Sequence, residues 1–261
     1  MKSTMNNNGT TAARILFRVI ASVAIISLLS IVRAGGEERN VLPMTTIGHE
    51  NQVWLTTPWA QDDPKKPRRN PIFRKSVSVK GKVGSASLNI CGLGHYELYI
   101  NGSRVGDRQL EPAFTDYDKR VYYSTYDIAD YLKKGENVFA LYLGRGRYNM
   151  DTVSVWGFHK APWRRPCRFT LSGEIAVGKV RVALDMDGWK CAEGPIFRDS
   201  MYEGEGFDGR LEPQGWKQKE FDDSGWKAAV KTDAPKGRLM PADFEPIRIV
   251  DKVAVLRTVY A

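Results

Sequence analysis

From Phe73 onward the chain is divided into short runs, FRKSVSV, ASLNIC, HYELYI, RVYYSTYDI, NVFALYLG, RFTLSGEI and KVRVALD, each bounded by Gly, Pro, Asn or a charged cluster. Runs of this length, rich in β-branched and aromatic residues, read as strands, and nothing between them resembles βαβ alternation. Seven or more such strands in succession predict an all-β sandwich or barrel. The pattern is sharpest in GHYELYINGSRVGD, where Tyr96, Leu98 and Ile100 alternate with Glu97 and Tyr99. Asn101-Gly102 then supplies the positive φ angles of a tight hairpin. The helical signal is confined to YDIADYLKKG, where Asp127 can cap a single turn carrying Ile128, Tyr131 and Leu132, and Gly135 can close it. Gly194 to Val230 is rich in glycine, aromatics and acids without a sustained period, and reads as long loops and short strands covering the sandwich.

The first 34 residues read differently. Lys2, Arg14 and Arg18 precede an apolar run from Val19 to Leu29, followed by Val32-Arg33-Ala34 and the polar GGEERN. A basic start, an apolar middle and a small residue at the cut make this a secretory signal, so a secreted or periplasmic location is expected. An uncleaved anchor is the alternative and the only membrane contact implied, but Ser22, Ser27, Ser30 and the short length count against a stable span. Residues 35–72 read as an extended leader anchored by Trp54 and Trp59, residues 73–233 as the sandwich, and residues 234–261 as a linker with the start of an unfinished further domain.

The formal charge of +9 includes four basic residues and no acid from this signal, so 39 − 4 = 35 bases face 30 acids beyond it. An excess of five does not call for nucleic acid, and the basic run PKKPRRN, with two prolines and no interleaved aromatics, reads as a solvated loop. Three cysteines, Cys91, Cys167 and Cys191, leave at least one unpaired in an exported chain, and no spacing among them suggests zinc. Cys91, inside ASLNICGL, reads as a small buried residue.

FRKSVSV, the long block from GHYELYINGSRVGD through DIADYLKKGENVFALYLGRGRY, then GWKCAEGPIFRDSMYEGEGFDGRLEPQGW, FDDSGW and EPIRIV together resemble the N-terminal β-sandwich region of bacterial α-L-rhamnosidases. The order and spacing of these blocks carry the resemblance from about Trp54 to Val250. It implies a galactose-binding-like jelly roll with long loops, which in such enzymes precedes a further β-domain and an (α/α)6 catalytic barrel. It also implies a family that removes terminal α-L-rhamnose by inversion, with catalytic carboxylates in the barrel. No catalytic residue is therefore carried onto this chain, which alone is expected to be inactive. Two positions depart from the family pattern: Arg147 stands where an aromatic is usual, and GEGFDGR replaces Gly-Glu-Thr-Tyr-Asp-Ala-Arg.

Inverting hydrolysis needs two carboxyl groups roughly 6.5–9.5 Å apart. The local pairs Asp116/Asp118, Asp185/Asp187 and Asp222/Asp223 occur in turn contexts, where Asp is selected for bonding to the backbone. His49, His95 and His159 have neither a nucleophile elbow nor metal-ligand spacing near them. Sugar binding asks for less: an aromatic face and a few polar groups. The loop candidates are Asp116, Tyr117, Arg147, Tyr148, Asn149, Trp156 and Trp163, against the plainer reading of each as a packed or rim residue. No cofactor is required. The fold resemblance allows a structural Ca²⁺, but no EF-hand pattern places it.

Two functions follow from the resemblance. One is a noncatalytic module that binds or positions rhamnose-containing glycans. The other is a truncated or split enzyme whose sandwich is a scaffold docking a separate catalytic barrel.

Overall fold

The computed structural model describes residues 52–59 and 68–254; the expected signal and much of the expected leader lie outside the described residues. Each of the seven strand-like runs forms a strand. They belong to two main sheets stacked as a sandwich, as the alternation predicts.

The first sheet has seven strands. Along it lie β14 (Val230–Thr232), β1 (Trp54–Thr56), β8 (Arg168–Val177), β3 (Ser85–Leu93), β6 (Arg120–Asp127) and β15 (Arg238–Pro241), while β9 (Val180–Leu184) pairs with the far half of β8. The second sheet orders β13 (Lys227–Ala228), β10 (Lys190–Glu193), β2 (Pro71–Val79), β7 (Gly135–Gly144), β4 (His95–Ile100) and β5 (Ser103–Arg104). A separate hairpin joins β11 (Ile196–Ser200) to β12 (Gly204–Phe207). The described pairings are antiparallel except that of β15 with β6.

Strand alternation distributes the apolar residues over three packed layers. Between the sheets, Leu88 and Ile90 of β3 and Leu171 and Ile175 of β8 pack in one core with Phe73 of β2, Leu98 and Ile100 of β4 and Leu141 of β7. Phe73 and Phe169 meet edge to face across the sandwich, with ring centroids 4.9 Å apart. The opposite face of the seven-stranded sheet carries a second cluster: Cys91 and Leu93 of β3, Val121 and Tyr123 of β6, Leu239 of β15, Trp54, Tyr117 and Tyr148. A third, smaller cluster on the outer face of the six-stranded sheet seats Trp216 on Ile72 and Ala140. Close approach also constrains the first sheet. A Cβ on Gly173 of β8 would lie 2.3 Å from the Ser87 carbonyl oxygen of β3, so only glycine fits.

Three segments take a more definite form than their local pattern implied. The leader is not merely an extended arm, because Trp54–Thr56 is inserted between β14 and β8 and Pro71 already begins β2. The segment after residue 233 is likewise not simply a linker: Arg238–Pro241 adds a parallel strand beside β6. Strands of three or four residues carry too little alternation to be recognised without their partners. The helical turn shrinks to a 3-10 turn over Ala129–Tyr131, in which Asp127 still accepts a hydrogen bond from the Ala129 N–H at 3.0 Å. The three cysteines are all buried and none forms a disulfide; burial pushes the Cys91 thiol far above its usual range and that of Cys191 up to about 12.

Candidate functional site

The acidic pairs serve the turns that carry them. The first acid of each pair locks its own turn: Asp116 Oδ1 accepts from the Asp118 N–H at 3.2 Å, Asp185 Oδ1 from Asp187 at 3.0 Å, and Asp222 Oδ1 from Ser224 at 2.9 Å. Cations occupy several of these carboxylates. Lys119 lies 3.1 Å from Asp116 and Lys75 2.6 Å from Asp185, while Arg74 and Lys190 each lie 2.7 Å from Asp223. These are the bonds that make Asp useful in turns.

Arg74 shows how the outer face of the six-stranded sheet is covered. Alternation turns it away from the main core, yet it is only 2% exposed. Its guanidinium donates to Asp223 and to the carbonyls of Trp216, Gln218 and Phe221 at 2.7–3.3 Å. One buried cation thus pins the whole 216–223 segment, which lacks regular structure of its own. Beside it, Glu212 accepts from the Tyr142 hydroxyl, from Trp216 Nε1 at 3.0 Å and from Lys217 Nζ at 3.1 Å. The Lys217 ammonium lies 4.4 Å and 4.7 Å from the ring centres of Tyr99 and Tyr142. Those aromatics are therefore occupied by the protein's own cation.

The remaining histidines are placed by the strands around them. His95 lies on the outward face of β4, with both ring nitrogens enclosed and without a hydrogen-bond partner among the described residues. Burial lowers its pKa, opposed by the negative charge of Asp199. His159 lies in a 3-10 turn over Phe158–Lys160, and His49 is outside the described residues. Among the described residues no group of three or more His, Cys, Asp or Glu side chains converges to hold a metal ion.

The sugar-site candidates separate into an interior and a surface group. Tyr117 and Tyr148 are 2% and 1% exposed and meet edge to face at 5.1 Å within the second cluster. Burial raises both phenol pKa values, that of Tyr148 to about 12. Asn149 is fully enclosed and donates to the Arg165 carbonyl. These three hold the loops rather than face outward.

Above them lies an aromatic layer. Trp163 leans on Tyr117 at 5.8 Å and on Phe158 at 6.3 Å, and Phe114 touches Tyr117 at 5.9 Å and Phe158 at 5.7 Å. Arg147 stacks against this layer, its guanidinium carbon 4.7 Å from the Phe114 ring centre and 5.5 Å from that of Phe158. Planar, delocalised and weakly hydrated, a guanidinium suits such stacking better than an ammonium. The same loop carries Trp156, which is 70% exposed, and Asp116 stands exposed on the neighbouring turn. Phe114 and Phe158 are functional candidates that sequence reasoning missed. Their signal was a further aromatic beside the chosen residues in each of two segments, Phe114 in EPAFTDYDKR and Phe158 in VWGFHKAPW.

A recess of about 540 Å³ lies elsewhere, between Arg104–Gln109 and Ile249–Lys252. Its lining contains no aromatic side chain, so it offers no platform for a pyranose ring.

Comparison with known proteins agrees with this architecture. Residues 81–251 match the family model described as the alpha-L-rhamnosidase N-terminal domain. The chain is 34% identical over 203 residues to an alpha-L-rhamnosidase of Streptomyces avermitilis, a match covering 77% of this chain and 20% of that protein. Among solved structures, the alpha-L-rhamnosidase of Dictyoglumus thermophilum superposes with a TM-score of 0.65 at 35% identity, covering 77% of this chain and 23% of that one. The enzyme of Aspergillus terreus gives 0.70 at 32% identity, covering 78% and 23%. The match thus spans about a fifth of the length of the curated relatives. From the order of its strands, its layered cores and these matches, the chain belongs to the α-L-rhamnosidase N-terminal domain family.

Proposed function

We propose that this chain is an exported, noncatalytic module of an α-L-rhamnosidase-type protein, and that it binds or positions rhamnose-containing glycans. The aromatic layer at the surface carries the reading: Phe114 and Phe158 flank Arg147, and the highly exposed Trp156 lies in the same loop. The exposed Trp156 ring covers the apolar face of a pyranose while Arg147 and Asp116 supply a donor and an acceptor for hydroxyl groups. The turn-locking and ion-paired acids argue against hydrolysis by this chain itself. Export rests on the basic and apolar pattern of the first 34 residues.

The deciding experiment is calorimetric titration with L-rhamnose and a rhamnosylated oligosaccharide. Saturable binding that weakens in Trp156→Ala supports the reading, and a flat titration of the folded chain sinks it. Millimolar affinity is expected, because a small ligand offers little contact area.

A second reading, a scaffold for a separate catalytic domain, is favoured by Ile247, Ile249, Val250 and Val253. These are 57–96% exposed within one short segment. Exposed apolar residues of this density mark interaction surfaces. Copurification with a rhamnosidase catalytic domain, lost when the four are changed to Ser, is its test.

A further inference from the structure

The charge around the aromatic layer narrows the ligand class. The loop from Arg145 to Arg168 contains Arg145, Arg147, Lys160, Arg164, Arg165 and Arg168 but a single acid, Asp151. Asp151 is paired with Arg145, which is itself buried. Arg168 is also buried, donating to the Asp233 carbonyl at 2.6 Å. On the neighbouring turn, Asp116 is paired with Lys119, leaving Asp118 as the other carboxylate there. Lys160 and Arg165 are exposed, and no ion pair is formed by Arg147, Lys160 or Arg165 among the described residues. Lys160 follows Phe158 within one 3-10 turn, so a cation is carried beside the aromatic layer.

Resting on the glycan-binding reading, we infer that this surface selects acidic glycans, in which a carboxylate-bearing sugar adjoins the rhamnose. The rhamnose ring lies on the exposed Trp156 ring of the same loop, and the neighbouring carboxylate meets Lys160 and Arg165. A neutral rhamnoside would leave this excess of positive charge unmatched. Complementary charge contributes selectivity and faster encounter where the apolar contact alone is small.

The test uses two disaccharides, L-rhamnose linked to a hexuronic acid and the same compound with its carboxylate reduced to the alcohol, titrated into the full chain at low and high ionic strength. The acid is expected to bind about three- to tenfold more tightly at low salt, the range of one or two exposed ion pairs. That preference should fade at high salt. It should also vanish in a Lys160→Gln, Arg165→Gln double variant, whose thermal unfolding serves as the control for folding. Equal affinity for the two disaccharides overturns the inference and leaves the glycan-binding reading standing, as does a preference that survives both salt and the double variant. Binding of neither disaccharide overturns the glycan-binding reading and this inference with it.

Discussion

The side-chain amide of Asn101, at the tip of the hairpin, donates to Asn137 Oδ1 of β7 at 2.9 Å, while Asn101 Oδ1 accepts from the Val138 N–H at 3.0 Å. Asn137 is fully buried. Its oxygen also accepts from the Lys133 N–H, and its amide donates to the carbonyls of Lys133 and Gly135. Two amides therefore join the hairpin, the 3-10 turn region and β7. Asn137→Ala removes these bonds and leaves enclosed backbone groups without partners, which costs about 2–3 kcal/mol. Urea unfolding measures the loss; a change below about 0.5 kcal/mol would show that water replaces the amide at no cost.

Arg74 should matter as much, although it points away from the main core. Arg74→Met keeps the apolar stem but leaves Asp223 with Lys190 as its remaining cation and takes the guanidinium donor from three carbonyls on the 216–223 segment. The expected destabilisation is about 2–4 kcal/mol. Hydrogen exchange localises it: the amides of residues 216–223 should exchange faster while those of β3 and β8 keep their protection relative to global unfolding.

Acid should unfold the domain in two stages. Burial lowers the His95 pKa, so its folded value lies below the unfolded value of about 6.5. Its contribution is full above that value and is lost as pH falls through the folded value. Asp185 is held low chiefly by its hydrogen bond from Lys75. At Asp223 burial opposes ionisation, but the bonds from Lys190 and Arg74 prevail and its pKa is also lowered. Stability from these acids is present above their unfolded values of about 4 and lost as pH falls through the folded ones. Melting temperature should decline gently below pH ~6.5 and steeply below ~4, with the first stage missing in His95→Phe. A pH-independent melting temperature between these values would contradict the placement of His95.

Thiol accessibility offers a direct check of the core. All three cysteines are buried outside any disulfide, and the thiols of Cys91 and Cys191 are shifted away from the reactive thiolate. A chromogenic disulfide reagent should find no reactive thiol in the folded chain and three after denaturation. Fewer than three in the denatured, unreduced protein would reveal a disulfide.

At the aromatic layer, stability and binding should separate. Trp156→Ala removes a side chain that is 70% exposed and should change stability by less than about 0.5 kcal/mol while weakening rhamnoside binding. Arg147→Lys keeps the charge but loses planar stacking on Phe114 and Phe158, at a cost of about 0.5–1 kcal/mol. Urea midpoints beside titrations of both variants test this pair. Unchanged affinity in Trp156→Ala would remove that residue from the site.

The sequence by itself determined the strands whose alternation is long enough to be read locally. HYELYI became β4 with Tyr96, Leu98 and Ile100 inside and Glu97 and Tyr99 outside, and Asn101-Gly102 turns with φ of 51° and 83°. Period-two alternation and turn chemistry are properties of neighbours in the chain, so they survive without tertiary information. Trp54–Thr56 and Arg238–Pro241 carry no such pattern and become strands only because β8, β14 and β6 offer unpaired backbone beside them. The same limit applied to the candidate site. Tyr117, Tyr148 and Asn149 looked like Trp156 in the sequence, as polar or aromatic loop residues, but packing encloses the first three and leaves the last in solvent. Arg147 stood out as a departure from an aromatic, yet its stacking on Phe114 and Phe158 depends on two loops meeting above the second core. Burial is decided by what other segments cover a residue, and those segments are distant in sequence. Local pattern could select the strands, but only tertiary packing could decide which loop side chains remain free to bind.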